Sequence, residues 1–428
     1  MDWLDEATKP VFDQLSRMGR SKLAGMYRNC FRSTWDTTLQ RSDGTVFLVT
    51  GDIPAMWLRD SSAQVYHYVP HAGKYPEVRE AILGLLERQF RYIVLDPYAN
   101  AFNREANDRR NHLDDTSWTE EARPWIWERK YEVDSLCYPI RLSHHFWKTT
   151  GDSSWCNGTF LQAAEQILTV WETEQRHMEK SPYHFSRVCR RPTDTLCNGG
   201  MGATVSYTGM TWSGFRPSDD ACTYGYLIPA NFFAVKSLEQ MAEMLDALRP
   251  EAAELSARAR KLREQIQAGL SQYAVFDQPE FGPVYAYEVD GLGNAVFMDD
   301  ANVPSLLSLP YLGCVKADDP IYQNTRRMLL SPANPYYYAG TCARGIGSPH
   351  TPVDYIWPIS LCIQGLTAED GDEIRALADM LENMDADTLL MHEGVHKDDP
   401  KQFSRPWFAW ANSIFSEFVE KAVAFLNK

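Results

Sequence analysis

Six times along this chain, a loop rich in Asp, Asn, Trp and Pro runs straight into a stretch with helical periodicity. The loops are "GDIPAMWLRDS", "WERKYEVDS", "TWSGFRPSDDA", "FMDDANVPS", "GSPHTPVDYIWP" and "RPWFAWANS". Asp, Ser and Asn are good N-caps, and capping accounts for any one junction taken singly. Six junctions impose more. Between successive loops there is room for one further helix and a return connection. If the helices that follow the loops point the same way, their N-terminal loops gather at one end of a barrel. The expected fold is all-α: an (α/α)6 barrel of six helical hairpins, with short β-hairpins in the loops and a polar, aromatic-lined mouth.

Other stretches agree with this reading. "PEVREAILGLLERQFRYIVLD" opens on Pro76 and carries apolar residues at helical spacing. "ANFFAVKSLEQMAEMLDAL" and "EAAELSARARKLREQIQAGL", broken at Arg249-Pro250, predict a helical hairpin. "SIFSEFVEKAVAFL" predicts a helix near the C-terminus. Strand-like runs are short: "GTVFLVTG", and "PVYAYEVDGLGNAV" with a turn at "DGLGN". No Gly/Ser linker interrupts the 428 residues, so a single domain over 1–428 is expected.

Charge and motifs exclude several classes. A formal net charge of −15 disfavours nucleic acid and an anionic membrane surface. Aromatics at 12% serve either as core filler or as flat platforms for sugar rings and bases. "MDWLDEATKPVFDQL" lacks the basic and apolar regions of a signal peptide, and no window approaches a membrane span. The nine cysteines are scattered, without CxxC or zinc spacing. They read as mostly buried thiols of a protein in a reducing cytoplasm, with no metal site. No glycine-rich loop follows a strand, and GxSxG and HExxH are absent. The adjacent His144 and His145 point to different helix faces, which suits structural roles better than a shared metal.

Carboxylates are the remaining chemistry. Asp219 and Asp220 follow Pro217-Ser218 and precede an apolar helix. One is expected to cap that helix, and the other to face the mouth near Trp212 and Phe215. Apolar surroundings and a neighbouring carboxylate raise a carboxyl pKa, as a general acid requires. The residues alone do not choose between the two. Glu393, between His392 and Gly394, reads by itself as a surface loop acid. Beside a glycine that lets a ligand approach, it could instead activate water. Together these parts match glycoside hydrolysis, which needs two carboxyl groups and no metal or cofactor.

With "NAFN", "YTGMTWSGFRPSDDACTYGYLIPAN", "FMDDANVPSLLSLPYL", "GIGSPHTP" and "MHEGVHKDDPKQFSRPWFAWANS", the chain resembles glycoside hydrolase family 125 from about residue 20 to its end. Members of that family are exo-acting α-1,6-mannosidases. The resemblance implies one (α/α)6 barrel and metal-independent, inverting release of terminal mannose from α-1,6-linked oligosaccharides such as N-glycans. It implies Asp220 as general acid and Glu393 as general base. Arg59 and Asp60 of "MWLRDS" resemble the pair with which glucoamylases hold the hydroxyls of the nonreducing sugar.

Asp52, Trp57 and Trp212 are then expected around the pocket. Glu128, Glu132 and Asp134 would meet hydroxyls or Arg59, or form an internal ion-pair network. Asn302 and His350 would touch the sugar or the leaving group, or be satisfied structurally. The sequence departs from the family pattern at Cys197 and Arg344. The competing readings are a glycosidase of another linkage or sugar on the same fold, a noncatalytic carbohydrate-binding barrel, and a helical scaffold. The last predicts apolar junctions, where this chain has polar ones.

Overall fold

The computed structural model describes residues 2–110, 112 and 119–426. After α1 (Trp3–Arg17), the chain runs outward and inward in six pairs. The first two are α2 (Ser21–Thr37) with α3 (Leu58–Tyr66), and α4 (Pro76–Leu95) with α5 (Val133–Thr150). Then α6 (Gly158–Glu174) and the single turns α7 (His177–Lys180) and α8 (Cys197–Gly200) lead to α9 (Ile228–Leu248). α10 (Ala253–Tyr273) is followed by a turn-rich segment at 305–314. α11 (Pro320–Leu329) pairs with α12 (Pro358–Thr367), and α13 (Gly371–Glu382) with α14 (Ala409–Ala422).

The inner helices touch in a ring. α3 packs on α5 and α14, α5 on α9, and α14 on α12. α3, α9 and α14 are buried on nearly every side, whereas the outer α10 buries one stripe. That difference is what two concentric layers require. The expected (α/α)6 barrel is the fold observed. Each fully buried Phe or Leu of the inner layer, such as Phe233 or Leu361, contributes about 1.5–3 kcal/mol. Gly51 closes the ring between the first and last junctions. Its φ is +141°, and a Cβ there would lie 2.2 Å from the Trp407 carbonyl oxygen.

The fourth junction differs from expectation. Residues 306–313 form successive turns where a helix was predicted. Pro310 offers no amide, and Gly313 takes a left-handed φ of +72°. The amides of Leu306 and Leu307 donate to the Asp299 carboxylate at 2.9 and 3.0 Å, not to a preceding helical turn. The segment still fills the inner position, since the Tyr311 hydroxyl reaches Glu417 on α14.

Side-chain caps occur on three outer helices of the pairs and on no inner one; α2, α4 and α10 lack them. The outer helices α6, α11 and α13 begin on Asn157, Asp319 and Asp370, whose side chains accept from the first-turn amides. The inner helices begin on Trp57, Glu132, Leu227, Trp357 and Phe408, all extended and none capping by a side chain. Neither Asp219 nor Asp220 caps α9, which starts at Ile228. Both lie earlier, in turns held by the Phe215–Ala221 bridge and by Thr223 and Tyr224 amides donating to Glu288. The junction acids are thus left for other work.

Most other expectations hold. α9 and α10 form the predicted hairpin. Thr45–Leu48 pairs with Leu39–Ser42, and Glu288–Val289 with Ala295–Val296. His144 bonds Glu243 while His145 stacks on Tyr66, on different faces of α5. All nine cysteines are unbridged, but only Cys30, Cys137, Cys156 and Cys362 are buried, fewer than expected. Among the described residues no helix is long and apolar enough to cross a membrane.

Candidate active site

Two connected cavities open at the junction end. The inner one, about 180 Å³, is bounded by Trp57, Arg59, Asp60, Asn302, Trp357, Glu393, Arg405 and Phe408, among others. Three of these, Trp57, Trp357 and Phe408, are the N-cap residues of α3, α12 and α14. The extended starts of these three inner helices therefore place aromatic side chains on the cavity. The outer one, about 480 Å³, is lined by Asp52, Trp127, Glu128, Lys130, Arg187, Asp194 and Asp220. Ile53, Trp57, Asp219 and His350 line both.

Arg59 lines the inner cavity. Its Nη1 lies 2.5 Å from Glu132 Oε2 and 3.1 Å from Asp134 Oδ2. Its Nε is 3.5 Å from Asp60 and its Nη2 3.6 Å from Asp219. Burial opposes its charge, but Glu132, Asp134 and Asp60 outweigh it and hold the guanidinium ionised. Burial pushes the Asp60 carboxyl up, against Arg59. Glu132 and Asp134 line neither cavity. They anchor Arg59 from beneath, the ion-pair alternative of the sequence reading.

Glu393 is positioned from the last junction. Met391 N–H donates to Asn412 Oδ1 on α14 at 2.8 Å, and Val395–His396 pairs with Tyr355–Ile356. Ser404 Oγ donates to Glu393 Oε2 at 2.9 Å, and Arg405 Nη1 stands 3.6 Å from Oε1. Arg405 also binds Asp52 at 2.5 Å. Asp52 thus meets the outer cavity as the partner of an arginine.

The two consecutive aspartates have different surroundings. Asp219 has a φ of +68° and meets Arg59 and Asn100 Nδ2. Burial would raise its carboxyl, but Lys130 and then Arg59 hold it below the ordinary range. Asp220 is 1% exposed. Its Oδ1 accepts from Thr193 Oγ1 at 3.0 Å and faces His350 Nδ1 at 3.4 Å. Its Oδ2 has no protein partner. Trp57 Nε1 and Asn302 Oδ1, both on the inner cavity, are also buried without partners. Buried polar atoms left open at a cavity are what a polyhydroxylated ligand would satisfy.

Glu128 lines the outer cavity within a network, 3.0 Å from Arg187 Nη2 and 3.1 Å from Asn100 Nδ2. Trp212 corrects the expectation. It lines neither cavity but stacks on His177 at 3.5 Å in the core, covered closely by Gly214 and Gly225. Sequence reasoning missed Arg405, Phe408, Trp357 and Lys130, although all stand in the junction loops. Arg187 and Asp194 lie in an irregular stretch with no periodic signal. Cys197 and Arg344 are exposed and line neither cavity, so those departures lie off the site. Among the described residues no three or more His, Cys, Asp or Glu side chains are arranged so that they could hold a metal ion.

A barrel of this architecture, with a small polar pocket joined to a wider one and carboxyl groups on each, is that of a glycoside hydrolase. Residues 20–420 match the family described as metal-independent α-mannosidase (GH125), and the chain belongs to that family. It is similar to a solved structure from Streptococcus pneumoniae, with 46% identity and a TM-score of 0.93 over 99% of this chain and 97% of that one. That structure is of a metal-independent α-mannosidase in a non-productive complex with α-1,6-mannobiose. The meiotically up-regulated gene 157 protein of Schizosaccharomyces pombe is 41% identical, over 96% of this chain and 84% of its own. A bacterial glucoamylase complexed with acarbose shares the fold at 12% identity, with a TM-score of 0.56 over 95% of this chain and 56% of that one.

Proposed function

We propose that this protein is an inverting exo-α-1,6-mannosidase that removes the nonreducing terminal mannose of oligosaccharides such as N-glycans. Asp220 is the general acid and Glu393 the general base. The observation that carries this reading is the division of the carboxyl groups: Glu393 lines the inner cavity together with Arg59 and Asp60, and Asp220 lines the outer one. A terminal mannose in the inner cavity then has its hydroxyls against Arg59 and Asp60, and its glycosidic oxygen toward Asp220. Stopping the sugar chain at that pair makes the action exo. Glu393, held by Ser404 and facing Arg405, takes a proton from water as that water attacks the anomeric carbon. Asp220 gives its proton to the leaving oxygen. Asp219, kept ionised by Lys130 and Arg59, has no proton to give.

The test is hydrolysis of a panel of mannobioses with NMR on the first-formed anomer, with and without EDTA. Activity confined to the α-1,6 linkage, β-mannose as first product and indifference to EDTA are expected. α-Mannose as first product would sink the inverting mechanism, which also requires the two carboxyl groups about 6.5–9.5 Å apart in the productive complex. Asp220→Ala and Glu393→Gln should each lower kcat by orders of magnitude. An active Asp220→Ala alongside a dead Asp219→Ala would reverse the assignment.

A further inference from the structure

His350 is the one imidazole in contact with either proposed catalytic carboxyl group among the described residues, and it borders both cavities. Its amide donates to Ser348 Oγ at 3.1 Å, which fixes the backbone. Its Nδ1 lies 3.4 Å from Asp220 Oδ1 and also 3.4 Å from Arg191 Nη1. These neighbours make opposite demands. Arginine only donates, and a carboxylate only accepts. With a proton on Nδ1 the ring donates to the Asp220 carboxylate. With the proton on Asp220, bare Nδ1 accepts from Arg191.

We propose that the acid of this reaction is the Asp220–His350 pair, sharing one proton, with His350 recharging Asp220 after each turnover. This rests on the reading of Asp220 as general acid. The proton balance closes. Asp220 gives its proton to the leaving oxygen as the glycosidic bond breaks. The ring, neutral at that point, takes a proton from solvent, which its 30% exposed side chain can reach, and the imidazolium Nδ1–H then passes to Asp220. Glu393 returns to solvent the proton it took from the attacking water.

The groups facing the ring are Asp220, Glu393, Asp219 and Arg191. Burial lowers the tendency of the ring to be protonated, but Asp220, then Glu393 and Asp219, outweigh burial and hold it above the ordinary histidine value. A carboxyl group alone loses its proton at lower pH than such a pair.

The experiment compares wild type with His350→Asn, which keeps a donor in place of Nδ1 but cannot hold a titrating proton. The substrates are α-1,6-mannobiose and α-mannosyl fluoride, whose leaving group needs no protonation. The expected result is a basic limb of kcat/KM on mannobiose moved down by about one pH unit or more, with no such movement for the fluoride, whatever its absolute rate. A superimposable pH profile would overturn the pairing. A second reading needs only a folded Asp220→Asn variant: the His350 ring, followed by NMR, should titrate about one unit or more lower than in wild type. An unchanged ring titration also overturns it. Asp220→Ala separates the two ideas. If that variant hydrolyses mannobiose, the acid itself is misassigned. If it is dead while His350→Asn keeps the wild-type profile, only the pairing fails.

Discussion

Arg59 Nη1 lies 2.5 Å from Glu132 Oε2, and neither side chain is more than 3% exposed. The sequence offers Arg59–Asp60 as the pair to notice, because the two are adjacent. In the fold, the closer partners come from 73 and 75 positions away, at the start of α5. Asp60, at 3.5 Å, has the longer contact and lines the cavity. Arg59 thus joins two inner helices and lines the pocket with the same guanidinium.

Replacing Arg59 should therefore cost stability as well as activity. Arg59→Met leaves Glu132 and Asp134 buried without a cation, and one-sided removal of a buried pair costs about 3–5 kcal/mol. Urea unfolding should show a loss in this range. A variant of unchanged stability would mean that the acids protonate or repack without difficulty.

Ser404 holds Glu393 Oε2 with one hydrogen bond of 2.9 Å. Ser404→Ala should lower kcat about tenfold, in line with the roughly 1–1.5 kcal/mol of one such bond, while KM changes little. A rise in KM alone would indicate that Ser404 acts on substrate binding and not on the base.

Asp219 and Asp220 should separate kinetically. Asp219→Asn removes a carboxylate held ionised by Lys130 and Arg59. It should weaken mannobiose and mannosyl fluoride hydrolysis alike, because it acts on binding and on the Arg59 network. Asp220→Ala should spare the fluoride relative to mannobiose. Equal fluoride-to-mannobiose ratios in the two variants would contradict the division of roles.

At the opposite end of α14, burial pushes Glu417 and Glu420 up from 4.5 to about 7. A carboxyl raised in the fold stabilises fully below its unfolded pKa, and that stability is lost as pH rises through the folded one. Tm should therefore fall between about pH 4.5 and 7. The contribution of Glu417 is on the order of 3 kcal/mol. Glu417→Gln should flatten that slope, and an identical Tm–pH curve would show that Arg141 keeps the native group ionised.

A Cβ at Gly225 would lie 1.9 Å from Trp212 Nε1, inside the core and away from both cavities. Gly225→Ala should lower stability by about 1–3 kcal/mol through overpacking. Thermal melts at several pH values would test it, and wild-type Tm would mean that the Trp212–His177 stack shifts freely.

Local pattern is enough to find most of the helices and the place of the site. Apolar spacing marks α4, α9, α10 and α14, and six polar, aromatic junctions locate the mouth, because local periodicity and turn chemistry are written in neighbouring residues. The carboxyl-bearing stretches around Asp220 and Glu393 were legible for the same reason. What each side chain meets depends on the folded chain. It sends Trp212 into the core against His177, ties Glu132 and Asp134 to Arg59, and brings Arg405 between Asp52 and Glu393. It turns residues 306–313 away from a helix because the carboxylate of Asp299 takes the Leu306 and Leu307 amides. It also separates the surroundings of Asp219 from those of Asp220. Two adjacent residues share one sequence context, but a left-handed φ at Asp219 directs it to Arg59 and Asn100 while Asp220 meets Thr193 and His350. Contacts across such distances in the chain depend on closure of the ring, which no local pattern records.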